Sequence, residues 1–226
     1  MRHRNLDEGW HKRSVPHALT PDEFQELTGV SRETLKRLEI YIALLHRWQP
    51  AINLVGKSSL TDPWRRHFLD SAQLLHLLPP HSSCVADLGS GAGFPGLVLA
   101  ILGAEEVHLI EADSRKCAFL REALRVTETR AVLHQARIEE ITGLEADVIT
   151  ARALAPLREL ITYALPLLKP QGICLFPRGR GLEEELTQAV KKWMMQVERF
   201  ASQTEPGGWI VRLREIRRKR ADGTAS

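Results

Sequence analysis

At 226 residues the chain is long enough for one full domain with a smaller addition, and 43% hydrophobic against 26% charged residues excludes wholesale disorder and a collagen-like chain. The net charge of +3 is unevenly placed: residues 1–13 carry +2, residues 212–226 carry +4 and the body carries −3, so the basic ends suit a polyanion such as nucleic acid. The longest aliphatic stretch, residues 96–102, falls far short of a membrane span, and the polar, basic start predicts no secretory signal.

Residues 1–80 read as a helical part. Thr20-Pro21-Asp22-Glu23 supplies an N-cap, a first-turn proline and two first-turn acids, and Gly29 ends that helix. Ser31 caps a longer helix in which Leu35, Leu38, Ile42 and Leu45 share one face, and Pro50 stops it. Asp62-Pro63 opens a third helix expected to run to Leu78, before Pro79-Pro80. From residue 81 to 216 short apolar runs alternate with helical stretches. Strands are expected at 84–88, 107–111, 131–135, 147–151 and 172–176, and helices at 95–102, 114–126, 156–168 and 182–195. Alternation of this kind predicts an α/β fold with a parallel, doubly wound sheet. The runs 196–203 and 209–216 have no helix between them and read as an antiparallel hairpin turning at 204–208, unlike a plain dinucleotide-binding fold. Residues 217–226 form a basic tail. Cys84, Cys117 and Cys174 are isolated, and an odd count without C-x-x-C spacing argues against disulfides and a structural zinc site. They read as core residues in a reducing cytosol, and no metal is expected.

The segment with most chemistry is Val85-Ala86-Asp87-Leu88-Gly89-Ser90-Gly91-Ala92-Gly93-Phe94-Pro95-Gly96, a buried strand feeding a glycine turn and a helix. It has two registers. Gly91-x-Gly93-x-x-Gly96 matches a dinucleotide fingerprint, with a pyrophosphate at the helix N-terminus. Asp87-x-Gly89-x-Gly91-x-Gly93 matches the acidic turn that holds S-adenosylmethionine. Asp87 would repel a pyrophosphate but can orient the turn and meet a cationic amino-acid ligand, and in this register the glycines follow the strand directly. Glu111 ends the second strand, 22 residues after Gly89, where a carboxylate accepts ribose hydroxyls in either reading. Absences also weigh. The position after strand four reads Thr150-Ala151-Arg152-Ala153-Leu154-Ala155-Pro156, not the [Asp/Asn]-Pro-Pro-aromatic loop of amino-group methylation. No cysteine falls in a loop where it could attack a pyrimidine. A ring nitrogen with a free lone pair is left as a natural acceptor.

These residues together resemble the bacterial small-subunit ribosomal RNA methyltransferase G family, also called the glucose-inhibited division protein B family. The resemblance runs over about residues 30–215. It is carried by Arg47-Trp48-x-x-x-Ile52-Asn53-Leu54, Arg66-His67-Phe68-Leu69-Asp70-Ser71, the glycine segment through Phe94-Pro95-Gly96, Arg137-Ile138-Glu139-Glu140, Asp147-Val148-Ile149-x-x-Arg152-Ala153 and Pro177-Arg178-Gly179. It implies a class I S-adenosylmethionine-dependent methyltransferase (Rossmann-like) sheet with a helical N-terminal extension. It further implies transfer of a methyl group to N7 of one guanine in 16S ribosomal RNA, in the cytoplasm. By matching position, S-adenosylmethionine would lie against Gly89, Gly91, Phe94, Glu111, Ile138, Glu139 and Arg152. His67, Asp70 and Arg178 would face the RNA, no residue is assigned as catalytic base, and the chain is expected to be a monomer acting on ribosomal RNA or the assembled small subunit.

Bland readings stand beside these. Arg152 can be a surface strand-end arginine, Glu139 a solvated acid, and His67 with Asp70 a polar contact holding the helical part to the sheet. Arg178 stands where family members usually carry lysine, and Glu111 where aspartate is common. Two other functions remain open on sequence: an NAD-dependent oxidoreductase using the first glycine register, and a non-catalytic RNA-binding or assembly protein on the same fold.

Overall fold

The structure is a computed structural model that describes residues 17–80, 82 and 84–219; the basic residues 1–13 and 220 lie outside the described residues. Helix α1 (Pro21–Thr28) has the expected N-cap at Thr20, which with Glu23 forms a capping box, and ends at Gly29 in the left-handed region. Helix α2 (Arg32–Trp48) starts at Ser31, whose hydroxyl accepts from Thr34 N–H. Its buried face is Leu35, Leu38, Tyr41, Leu44 and Leu45, with Ile42 at the margin. The third helix differs from expectation. A π-helical turn (Trp64–Leu69) leads into α3 (Asp70–Ala72), and a 3-10 turn (Leu75–Leu77) follows. The Asp70 N–H reaches back five residues to Arg65 O, which widens the turn that carries His67.

Strands and helices then alternate: β1 (Cys84–Leu88), α4 (Gly96–Ile101), β2 (Glu106–Glu111), α5 (Ser114–Val126), β3 (Val132–Gln135), β4 (Ala146–Thr150), α6 (Leu157–Ala164), β5 (Leu168–Arg178), α7 (Leu182–Ala189), β6 (Trp193–Ala201) and β7 (Trp209–Arg218). The sheet order is β3-β2-β1-β4-β5-β7-β6. The first five strands are parallel, and β7 inserts antiparallel between β5 and β6. Helix α7 stops at Ala189 rather than 195, because Trp193 pairs with Arg218 and buries its ring in the sheet. Strand β7 runs to Arg218, so the segment expected to be a tail from 217 begins inside the sheet.

Two apolar layers close the fold. One face of the sheet shares a single core with α1, α2, the 64–74 stretch, α4 and α5; α6 and α7 cover the other. The helical part is therefore built into the same core as the sheet. The three cysteines are buried and free. Among the described residues no helix is long and apolar enough to cross a membrane.

Candidate active site

The turn after β1 is organised from beneath by Asp87. Its side chain is fully buried: one oxygen accepts from Thr150 Oγ1 at 3.0 Å, the other from Gly96 N–H at 3.2 Å. Burial pushes its carboxyl up to about 6. The expectation that Asp87 orients the turn holds, but contact with a cationic ligand is corrected, since the group faces Thr150 and Gly96 instead. Gly96 has no room for a side chain: a Cβ there would lie 2.6 Å from the Asp87 Cβ and from Leu109 Cδ2.

Two cavities meet above this turn, of about 550 Å³ and about 340 Å³. Gly89, Lys116, Arg152 and Ala153 line both. Gly89 (φ +63°) needs its left-handed backbone, and a Cβ on it would stand 2.6 Å from Leu154 Cδ1. Gly89 and Gly91 reach the cavities, whereas Gly93 faces Tyr41, Leu97 and Leu120 and Gly96 faces Asp87. The register that begins at Asp87 therefore has two of its three glycines at the cavities and the dinucleotide register one, and the Gly96 N–H at the start of α4 is already bonded to Asp87.

The smaller cavity is lined by Glu111, Ile138 and Glu139 as well as Gly89 and Arg152. Glu111 accepts from Gly91 N–H and Asp113 N–H, each at 2.8 Å, one on each carboxylate oxygen. It ties the β1 turn to the β2 turn and keeps lone pairs for a further donor. Ile138 and Glu139 sit on a 3-10 turn (Ile138–Glu140) after β3, braced by Glu140 accepting from Arg137 N–H at 3.0 Å.

The larger cavity contains the remaining site residues, but in a different arrangement from the expected one. Arg152 bonds the helical part: NH1 to Arg66 O at 2.9 Å and Asp70 Oδ2 at 3.2 Å, NH2 to His67 Nδ1 at 2.8 Å. Its guanidinium lies 5.1 Å from the centre of the Phe94 ring, which also stacks on Tyr41 and His67. Phe94 is 4% exposed, so it is mainly a joint between helices and sheet rather than an open wall. Asp70 further accepts from Thr204 Oγ1 at 2.6 Å and Gln73 Nε2 at 3.0 Å, which ties in the β6–β7 loop. The interhelix reading of His67 and Asp70 is thus the one these contacts support. Arg178 is also committed. Its NH2 pairs with Glu185 on α7 and its NH1 bonds Ala155 O at 3.2 Å, so its charge is balanced inside the protein rather than offered to phosphate. Glu185, Thr204, Lys116 and Tyr41 escaped sequence reasoning; only spatial neighbourhood marks them out.

The His67 tautomer follows from its partners. Arg152 only donates, so Nδ1 accepts and Nε2–H donates to Ser59 Oγ at 2.7 Å. Burial, then the charges of Arg152 and Arg66, hold the imidazole down at about 3. The folded-state value lies below the ordinary one of about 6.5, so this contribution to stability is present above that pH. It is lost progressively as pH falls toward 3. Asp87, raised to about 6, runs the other way: its contribution is present below about 4 and lost as pH rises through 6. The variant His67→Gln removes only the first. Urea unfolding at pH 7, 5.5 and 4.5 should show the parent's advantage over the variant shrinking as pH drops. A constant difference would assign no proton linkage to His67.

This sheet order, with a glycine turn after β1 and a carboxylate closing β2, defines a class I methyltransferase fold. The family model described as rRNA small subunit methyltransferase G matches residues 34–206, and the chain belongs to that family. It is 56% identical to a "Ribosomal RNA small subunit methyltransferase G" of Rhodospirillum rubrum over 88% of this chain and 100% of that protein. It is 58% identical to one of Rhodospirillum centenum over 86% and 90%. Among solved structures, the N-methyltransferase NodS from Bradyrhizobium japonicum, in complex with S-adenosyl-L-homocysteine, aligns with a TM-score of 0.53 at 18% identity. It covers 77% of this chain and 97% of that one. A putative O-methyltransferase from Klebsiella pneumoniae aligns at 0.56 and 14%, covering 84% and 93%. At these identities the structures speak for the fold alone.

Proposed function

We propose that this protein methylates N7 of a guanine in 16S ribosomal RNA, using S-adenosylmethionine, in the cytoplasm and as a monomer. The observation that carries the reading is the pair of joined cavities over Gly89 and Gly91 at the carboxyl ends of the parallel strands, in a chain of this family. The residues present fit the cofactor. The absent side chain of Gly89 keeps the floor open beneath Leu154, and Glu111 has acceptor capacity for ribose hydroxyls. Ile138 and Glu139 offer an apolar surface and a carboxylate to an adenine edge. When bound, S-adenosylmethionine supplies an electrophilic methyl group.

Guanine N7 presents an in-plane lone pair and carries no proton, so no residue need act as base. His67 agrees with that: its acceptor nitrogen is occupied by Arg152, and the ring stays neutral at physiological pH. The protein's contribution is alignment at near-attack distance and charge placement around a base that becomes cationic. Asp70, which lines the larger cavity beside Arg152, would contribute to that field.

The test is single-turnover transfer of labelled methyl to unmodified small subunits and to naked ribosomal RNA, with mapping of the product. Label on one guanine N7, at a rate nearly flat between about pH 6.5 and 9, is expected because no essential group titrates there. Binding of NAD in place of S-adenosylmethionine, or label at any other atom, would reject the assignment.

A further inference from the structure

The period-two alternation of β1 and β2 places Cys84, Glu106 and His108 on one sheet face, in the register Cys84↔Glu106 and Ala86↔His108. The thiol sulfur, a carboxylate oxygen and a ring nitrogen of these residues lie within 4.8 Å of one another. Cys84 and Glu106 are the first residues of their strands. The cluster therefore sits at the end of the sheet opposite the glycine turn, about 16 Å along β1 from Gly89. The absence of C-x-x-C spacing says nothing about such a site, because the fold rather than the spacing assembles it.

We propose that Cys84, Glu106 and His108 bind a borderline-soft divalent cation such as Zn2+, with His134 supporting His108 from behind. A thiolate, an imidazole and a carboxylate are the donor types zinc takes. Bond lengths of about 2.0–2.3 Å put tetrahedral ligands roughly 3.3–3.6 Å apart, so the donors must draw in by about 1 Å. Glu106 is exposed at the sheet end, and three protein ligands leave the fourth position to water. The second layer is in place. His108 bonds His134 Nε2 through Nδ1 at 2.8 Å and Glu106 through Nε2 at 2.9 Å. A shift of the His108 proton from Nε2 to Nδ1, matched by a shift of the His134 proton from Nε2 to Nδ1, frees the His108 Nε2 lone pair for the metal and leaves His134 Nε2 able to accept. Nδ1–H then donates to His134 Nε2, an orienting bond typical of metal-bound histidine. No proton is lost from the rings in this step. One is released from Cys84 as the sulfur–metal bond forms, so affinity should rise with pH. Burial, Glu106 and Asp147 raise the Cys84 thiol, while Lys169, paired with Asp147, lowers it.

The experiment is a Co2+ titration of untagged, chelator-washed full-length protein under a non-coordinating reductant. One equivalent should bind with a thiolate-to-cobalt charge-transfer band, and Zn2+ should displace it. Cys84→Ser should abolish the band, while Cys117→Ser and Cys174→Ser should leave it unchanged. His134→Phe should weaken binding on the order of tenfold, as expected for loss of a supporting partner. No band in the parent, or a band that survives Cys84→Ser, would overturn the site. If Cys84→Ser fails to fold, the exposed Glu106→Gln variant decides: affinity equal to the parent's refutes the proposal, and weakened binding supports it.

Discussion

Replacing Arg152 with alanine should cost about 3 kcal/mol of stability and slow single-turnover methyl transfer by at least ~100-fold. The guanidinium joins three partners that no other described cation serves together: Arg66 O, His67 Nδ1 and Asp70 Oδ2. Removing it strands the Asp70 carboxylate, 16% exposed, beside an imidazole that has lost its donor. It also removes the cation above Phe94, where helices and sheet join. Rate falls with stability because these contacts set where the helical part stands over the larger cavity, and misplacement by about 1 Å can cost 100-fold. Arg152→Lys should recover only part of both losses, since one ammonium does not reproduce a planar fork. Urea unfolding and single-turnover assays at saturating cofactor read the two effects separately. Wild-type stability in the alanine variant would mean that the ties to His67 and Asp70 carry no weight.

Gly96→Ala should destabilise by roughly 2–3 kcal/mol through overpacking. The added carbon would meet Asp87 Cβ and Leu109 Cδ2 at 2.6 Å, and both neighbours belong to the sheet rather than to a mobile surface chain. Relief requires α4 to lift away from β1, which breaks the Gly96 N–H bond to Asp87. S-adenosylmethionine affinity should fall as well, since Asp87 holds the turn from below. Gly181→Ala is the control: its φ is −81° and a Cβ there meets nothing within 4 Å, so it should stay within about 0.5 kcal/mol of the parent. Thermal melts of the two variants side by side would expose an error in the close packing if they shifted equally.

The elements most readable in sequence were those set by local chemistry. Thr20 and Ser31 cap their helices as expected, and the strand–glycine–helix segment stands where its composition placed it. Glu111 was found because its distance from the turn is a property of the βαβ unit. Illegible were bonds between residues far apart in the chain. Arg152 reaches back 85 residues to His67, and nothing local to either marks the other. In sequence Arg178 has no marked partner, because Glu185 looks like any solvated acid in the first turn of a helix. Residues 190–195 are compatible with a continuation of helix α7, and pairing of β6 with β7 overrides that weak preference. The wide turn at Trp64–Leu69 has no sequence signature at all, and it carries His67.

The bond from Thr204 to Asp70 spans 134 residues, and a second, from Gln203 N–H to Gln73 Oε1, spans 130. During synthesis at about 5–20 residues per second, Asp70 therefore emerges roughly 7–27 s before its partner exists. Throughout that interval the early helices lack both the hairpin loop and the last strand. A nascent chain stalled before the β6–β7 loop should leave residues 64–78 more open to protease than in the released chain, because the contacts of Asp70 and Gln73 with that loop are still missing.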